Sequence, residues 1–315
     1  MVSPRNVPVH PLSDYGAGMS MGQQFFIGRF EQSVTSRPNR LRFHRHTYYE
    51  AFLVNGKGSY FADFREYGIA GPTLIFVSPG QVHRWNQKPR MTGPMTCFTQ
   101  EFYDGKEPPP SSLVDLPFWF PFETPPLVTL DASQARKFDS LWVEMEAEAT
   151  PSKERDDIAR ALLRVLFYKA ARIYRSLYEK GATQSAEGGE SRIGREFRLV
   201  VERHFRTITS VSDYAKTLHV TADHLGAVVR GETGRPPGDI IRERLLLEAK
   251  RLLVHTSMNV SEIAYALNFE DPAYFSRFFR RLTDKAPGNF REDSRKSTRP
   301  DWRSTGVPLC SNVAP

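Results

Sequence analysis

The chain has 315 residues, a net charge of +7 and only two cysteines, Cys97 and Cys310. At about 100–200 residues per domain, this length suggests two domains with separate cores. The cysteine count excludes a disulfide framework and a thiolate zinc site. No apolar run approaches the roughly 20 residues of a membrane span, and the opening MVSPRNVPVHPLSDYG has no apolar signal core, so the expected location is the cytoplasm, with no membrane partner. A pI of about 9.4 favours a polyanionic partner. Charge alone does not place it: Ser191–Glu292 carries 17 Lys+Arg against 13 Asp+Glu, and the remainder is also positive.

The first 20 residues are rich in Pro, Gly and Ser and read as poorly ordered. From Gln23 to about Tyr103, short runs (QQFFIGRF, YYEAFLV, GSYFADF, TLIFVS, MTCFTQEF) separated by Gly and Pro predict strands of a small barrel or sandwich. Within them, LRFHRHTYYE spaces His44, His46 and Glu50 as H-x-H-x-x-x-E. Strand alternation puts Arg42, His44, His46, Tyr48 and Glu50 on one face, and VSPGQVHRW puts His83 and Trp85 on one face of another strand. These two motifs resemble those of the cupin barrel over about 80 residues. In metal-binding cupins the matching three His and one Glu hold a divalent metal. Three readings of the set stand side by side: a metal centre of a cupin enzyme such as a dioxygenase, a metal-free effector pocket using the same groups for hydrogen bonds, or residues satisfied within the barrel. In the pocket reading Arg42 pairs with a ligand carboxylate, and Tyr48 and Trp85 form its walls.

Residues 104–130 are Pro- and Phe-rich and read as irregular packing against the barrel. Two amphipathic helices follow. The first places Ala135, Phe138, Trp142, Met145 and Ala149 on one stripe; the second does so with Ile158, Leu162, Val165, Leu166, Ile173 and Leu177. Each stripe suits cover for the barrel or a homodimer interface. The expected first domain is 20–180. GATQSAEGGES (181–191) carries only small and polar side chains and reads as a linker. A helical domain is expected over 192–292, and 293–315 as a disordered tail.

That helical region repeats itself. Val211, Tyr214, Ala215 and Leu218 match Val260, Ile263, Ala264 and Leu267. Beyond a turn, Leu225, Val228, Val229, Thr233, Pro237, Gly238 and Ile240 match Phe275, Phe278, Phe279, Thr283, Pro287, Gly288 and Phe290. Each copy reads as helix-turn-helix. Apolar residues at positions 0, 3, 4 and 7 give the first helix one buried face, and Ala215 or Ala264 allows a close helix crossing. Ser210 with Asp213, and Asn259 with Glu262, predict capping boxes, and Pro272 suits a first helical position. DIIRERLLLEAKRLL joins the copies, with Ile241, Leu245, Ala249, Leu252 and Leu253 on one face. A rigid connector would let one chain address successive major grooves about 34 Å apart.

RERLLLEAKRLL followed by VSEIAYALNFEDPAYFSRFFRRLTDKAPGNFR resembles the AraC/XylS family of transcriptional regulators over the last 100 residues. The chain departs from the family's usual Gly at Asn268 and Asp284, both turn positions, and Asn and Asp tolerate positive φ well enough to keep the turns. The expected architecture is therefore α+β and multidomain: an N-terminal cupin-like β-barrel with two packing helices, then an all-α double helix-turn-helix domain. The resemblance implies a sequence-specific DNA-binding regulator, not an enzyme, gated by a small-molecule effector in the barrel, with double-stranded DNA as partner. Activation would also need contact with RNA polymerase. Attachment to such a unit favours the metal-free pocket and no cofactor. The alternative is a metal-dependent cupin enzyme using His44, His46, Glu50 and His83, its helical region serving assembly.

In the second unit the exposed recognition positions are Ala273, Ser276, Arg277 and Arg280, flanked by Glu270 and Asp271. Arg277 is the base reader, because one guanidinium satisfies both guanine O6 and N7. Arg280 and Arg281 contact phosphate. In the first unit, Thr221 opens a recognition helix exposing Ala222, Asp223, Gly226 and Ala227, with His219, His224 and Arg230 near phosphate. None is a guanine reader, so the first unit is expected to discriminate sequence less than the second.

Overall fold

The computed structural model describes residues 9–12, 20–21, 24–36, 44–87, 91–106, 113, 116–119, 125–148, 153–178 and 192–296. The expected linker 181–191 lies outside them, as do Arg42 and residues 297–315. Two compact units divide the chain, one spanning Val7–Glu187 and the other built mainly from Gly188–Pro315.

In the first unit the chain runs β1 (Val9–His10), β2 (Ser20–Met21), β3 (Phe25–Arg29), α1 (Phe30–Ser36), β4 (Arg45–His46), β5 (Tyr49–Val54), β6 (Lys57–Ala62), β7 (Arg65–Ala70), β8 (Thr73–Val77), β9 (His83–Gln87), β10 (Pro94–Phe98), α2 (Gln100–Asp104), β11 (Leu127–Thr129), α3 (Ala132–Ala147) and α4 (Lys153–Tyr178). The strands do not close into the expected barrel. They form an open six-stranded sheet in the order β11-β8-β5-β10-β3-β2, a three-stranded sheet β7-β6-β9, and a parallel pair β1-β4. The ladder breaks where the chain changes sheet. β5 pairs with β8 and β10, but after Asn55–Gly56 the next strand, β6, pairs with β7 and β9. Asn55 forms an isolated bridge to Thr92. The neighbouring Gly93, at φ 147°, lies so close to the backbone of Leu53 that a Cβ would fall 1.8 Å from its carbonyl oxygen.

Two helices interrupt the region read as all strand. α1 continues directly from β3. The run MTCFTQEF splits at Thr99, whose hydroxyl accepts from Phe102 N and caps α2. Residues 104–130 also yield a short strand, β11, alongside the buried Leu113, Leu116, Phe118 and Trp119.

Alternation along the strands of the large sheet builds two cores. Phe25, Ile27, Tyr49, Ala51, Leu53, Leu74, Phe76 and Phe98 face α3 and α4. Tyr48, Phe52, Val54, Ile75, Val77, Met95 and Cys97 face Tyr60, Ala62, Ile69 and Trp85 of the small sheet. In α3 the expected Phe138, Trp142 and Met145 are buried, and Asp131 with Gln134 closes a capping box. In α4 the expected stripe is rotated. Of the expected stripe Leu166 is buried and Leu162 and Ile173 pack partly buried against the core, but Ile158, Val165 and Leu177 are exposed, and Ala159, Leu163, Phe167, Ala170 and Tyr174 pack into the core instead. The helix has apolar residues on more than one side. The broad aromatic face presented by Phe76, Phe98 and Trp119 selects the side carrying Phe167.

The regular elements among the described residues of the second unit are all helices: α5 (Arg192–His204), α6 (Val211–Thr217), α7 (Ala222–Thr233), α8 (Pro237–His255), α9 (Val260–Ala266), α10 (Pro272–Thr283) and α11 (Pro287–Lys296). The last helix runs four residues into the stretch read as tail. The pairs α6–α7 and α9–α10 are the two repeat copies, each packed against the connector α8.

Candidate DNA interface and buried histidine site

The two copies reproduce each other down to their punctuation. Thr221 and Asp271 cap the second helices, accepting from His224 N and from Ala273 N and Tyr274 N respectively. At the helix ends, Thr233 donates to Val229 O at 2.7 Å and Thr283 to Phe279 O at 2.8 Å. Gly234 and Asp284 both take the left-handed conformation, and Asn268 does so in the inter-helix turn at φ 63°. The substituted turn positions therefore keep the expected geometry. His219 occupies the same left-handed turn in the first copy, at φ 55°, so its backbone role is fixed by the motif. The capping boxes differ. Asn259 and Glu262 form one in full. Ser210 accepts from Asp213 N, but the Asp213 carboxylate accepts from the Ser210 hydroxyl instead of reaching back to the cap backbone. Asp is one methylene shorter than the Glu this motif needs.

In α10, Phe275, Phe278 and Phe279 are buried and turn the opposite side outward. Arg277, with its side chain 68% exposed, Arg280, Arg281 and Ala273 lie on that side. Asp271 stands 3.6 Å from Arg277 in addition to capping the helix. Ser276 does not belong to the free face: it is half-buried and its hydroxyl donates to Pro272 O at 2.9 Å, as short hydroxyls within helices commonly do. Tyr274 does belong there. It is 55% exposed and the Arg277 guanidinium lies 5.8 Å from its ring centre. Its i−3 spacing from Arg277 signals this in the sequence. In α7, Leu225 and Val229 are buried and Val228 is half-buried. Ala222, Asp223, His224, Ala227 and Arg230 are exposed, and Gly226 is half-exposed.

The connector α8 is buried on most of its circumference, more than the single expected face. Beside Ile241, Leu245, Ala249, Leu252 and Leu253 it buries Arg244, Glu248 and Arg251. Arg244 Nε contacts both Glu202 carboxylate oxygens, at 2.8 and 3.0 Å, and its guanidinium lies 3.8 Å from the Phe205 ring centre. Glu248 accepts from Arg206, Arg244 and Arg251. Burial alone would raise the Glu248 pKa. The guanidiniums of Arg251, Arg244 and Arg206 outweigh it and hold the carboxyl at about 2. These charges ride on helix positions that periodicity assigns to the core, so the sequence pattern passes over them.

In the first unit the motif residues that were far apart in sequence meet. His44, His46 and His83 are buried, with one ring nitrogen of each within 4.8 Å of the others. Their ring centres lie 4.2 to 5.0 Å apart. Glu50 is fully buried, its Oε2 3.4 Å from His46 Nε2 and 3.6 Å from His83 Nε2. Reciprocal backbone hydrogen bonds of 3.0 and 2.9 Å join His44 to His83 and fix the two strands. Tyr48 packs against His46, ring centres 4.6 Å apart. Trp85 sits among Phe30, Phe52 and Tyr60. His10 on β1, unremarked in the sequence, lies 5.9 and 6.0 Å from the His44 and His46 rings.

Residues 214–293 match a family model described as a helix-turn-helix domain. Over 80 residues the chain is 39% identical to the HTH-type transcriptional regulator GlxA of Rhizobium meliloti, covering 25% of each chain. Two longer matches run through both units. One is to the HTH-type transcriptional activator RhaS of Citrobacter koseri, 24% identical over 79% of this chain and 87% of the relative. The other is to YfiF of Bacillus subtilis, 21% identical over 89% of this chain and 88% of the relative. Residues 214–293 therefore form a helix-turn-helix domain like those of these transcriptional regulators. The matched stretch runs from α6 into α11 and so includes α7 and α10. Among the described residues of the chain, no helix is long and apolar enough to cross a membrane.

Proposed function

We propose that this regulator binds a bipartite operator with α7 and α10 in successive major grooves, and that a small molecule bound in the first unit changes its affinity for that operator. The observation that carries the DNA reading is the duplicated helix pair on one buried connector, with Arg277, Arg280 and Arg281 exposed on α10. Arg277 reads a guanine, Arg280 and Arg281 contact phosphate, and Tyr274 adds an apolar contact on the same side. Exposed Ala222, Asp223 and Ala227 on α7 accommodate bases without bidentate recognition, so α10 supplies most of the sequence discrimination. The convergent polar set His44, His46, Glu50 and His83, with Tyr48 beside it, supports an effector site; Trp85 adds to the apolar surroundings. An effector acts by its different affinity for the two operator-binding states. Neither a second subunit nor RNA polymerase enters this reading, which needs one chain, its effector and DNA. Selection from random duplexes at two salt concentrations tests it. The expected result is a two-part motif with more information in one half, and binding that weakens steeply with salt as cations are released from DNA. Failure of any motif to enrich would overturn the proposal.

A further inference from the structure

We propose that Tyr274 and Arg277 together read one base step, a guanine beside a pyrimidine that carries a C5 methyl group. Operator binding then responds to thymine or 5-methylcytosine at that place. This rests on the guanine reading of Arg277 above and adds the identity of the neighbouring base. The first repeat copy serves as an internal comparison. Thr221, Leu225, Val229 and Thr233 stand where Asp271, Phe275, Phe279 and Thr283 stand in the second copy. They cap the helix, fill its buried side and close its end in the same way. His224 and Ala227, however, stand where Tyr274 and Arg277 do. The helix pair is therefore built without an aromatic–guanidinium pair on its outer face, and Tyr274 and Arg277 are left to act on whatever that face meets.

The pair is held in place from behind. Phe269, in the turn before α10, lies 5.2 Å from both the Phe275 and the Phe278 ring centres and 6.0 Å from that of Tyr274. It anchors the exposed Tyr274 ring to the core. The Arg277 guanidinium lies 5.8 Å from the centre of the same ring, and the Asp271 carboxylate that caps the helix stands 3.6 Å from it. Ala273, Tyr274 and Arg277 all fall in the first two turns of α10, the end of a recognition helix that reaches base edges. Adjacent bases along a strand are about 3.4 Å apart. A ring 5.8 Å from a guanidinium seated on guanine O6 and N7 therefore borders the next base pair. In the major groove the C5 methyl of thymine is the apolar group such a ring covers, and cytosine offers none. 5-Methylcytosine carries the same methyl on the same carbon.

The test uses the full chain and the duplex it selects, with the guanine located as the position whose preference Arg277→Ala relaxes. Thymines in the two flanking base pairs are then replaced one at a time by uracil, which removes only the methyl group. One of these replacements should weaken binding about fourfold, the worth of one buried methyl group. With cytosine at that position instead, methylation of its C5 should strengthen binding by about the same factor. Tyr274→Ala should erase both methyl effects while keeping the guanine preference and wild-type circular dichroism; Tyr274→Phe, which keeps the ring, should retain them. Should Tyr274→Ala fail to fold, Tyr274→Gln carries the comparison. A selected motif with no thymine in either flanking pair, uracil bound as tightly as thymine, or a methyl effect that survives loss of the ring would each overturn the inference. So would a loss in Tyr274→Phe that is equal for all sequences, because the hydroxyl would then be holding a phosphate. If Arg277→Ala relaxes no position, the guanine reading fails and the methyl reading with it, whereas a located guanine without a methyl effect overturns the methyl reading alone.

Discussion

Replacing Glu248 by Gln removes one charge from the connector helix and keeps its shape. Three guanidiniums, from Arg206, Arg244 and Arg251, then lose the carboxylate they share. The magnitude follows from the pKa. The carboxyl is held at about 2 against an ordinary value of 4.5, and its side chain is only 5% exposed, so solvent screening discounts little. A gap of about 2.5 units at 1.36 kcal/mol each is about 3 kcal/mol. The sign is that of a depressed acid: the stabilisation is fully present above pH 4.5 and is lost as pH falls toward 2, with about half gone by pH 3. The assay is hydrogen exchange of the α8 amides by mass spectrometry, corrected for intrinsic rates, which reads this unit apart from the other. Glu248→Gln should lower α8 protection about 100-fold at pH 7, and the gap to wild type should narrow as the pH is lowered through 4 to 3. A gap below about 0.5 kcal/mol, or one that does not change with pH, would refute the ionic account of how α8 is held.

Three further outcomes are expected. Arg277→Ala should cost about 1–3 kcal/mol at one operator base pair and relax its preference, whereas Arg280→Ala and Arg281→Ala should weaken all sequences alike and each reduce the salt slope by about 0.9; a base-substitution scan with most discrimination beneath α7 would contradict this. Asn268→Gly and Asp284→Gly, at φ 63° and 58°, should hold or raise stability by up to about 1 kcal/mol, and Asn268→Val should lower it, as read by thermal melting. Phe167→Ala empties a site ringed by Phe98, Tyr103, Phe118 and Trp119 and should cost about 3–5 kcal/mol. Tryptophan fluorescence reports this unfolding through Trp85, Trp119 and Trp142, all of which lie in the first unit.

The sequence alone determined the second unit in most of its detail, because what defines it is local. Helix caps, the i, i+3, i+4 apolar spacing and the left-handed turns at Asn268 and Asp284 depend on residues within a few positions of one another. Duplication then states the pattern twice. The spacing of His44, His46 and Glu50 was visible in the sequence, but their expected place on one strand face does not hold: His46 ends β4, Glu50 lies on β5, and a bend at Thr47–Tyr48 separates them. Other features belong to the tertiary structure alone. Whether strands close into a barrel depends on which strand each one finds, and the sheet change at Asn55–Gly56 leaves no period to read. Which side of α4 is buried was set by the aromatic surface it meets, so Ile158 and Val165 came out exposed. The Glu248 network joins α8 to residues about 40 positions earlier, Glu202 and Arg206, and the Gln81 carbonyl that faces His83 Nδ1 joins the site only through a turn. Long-range charge pairing and hydrogen bonding have no sequence period. Only the packed chain brings those groups within reach of one another.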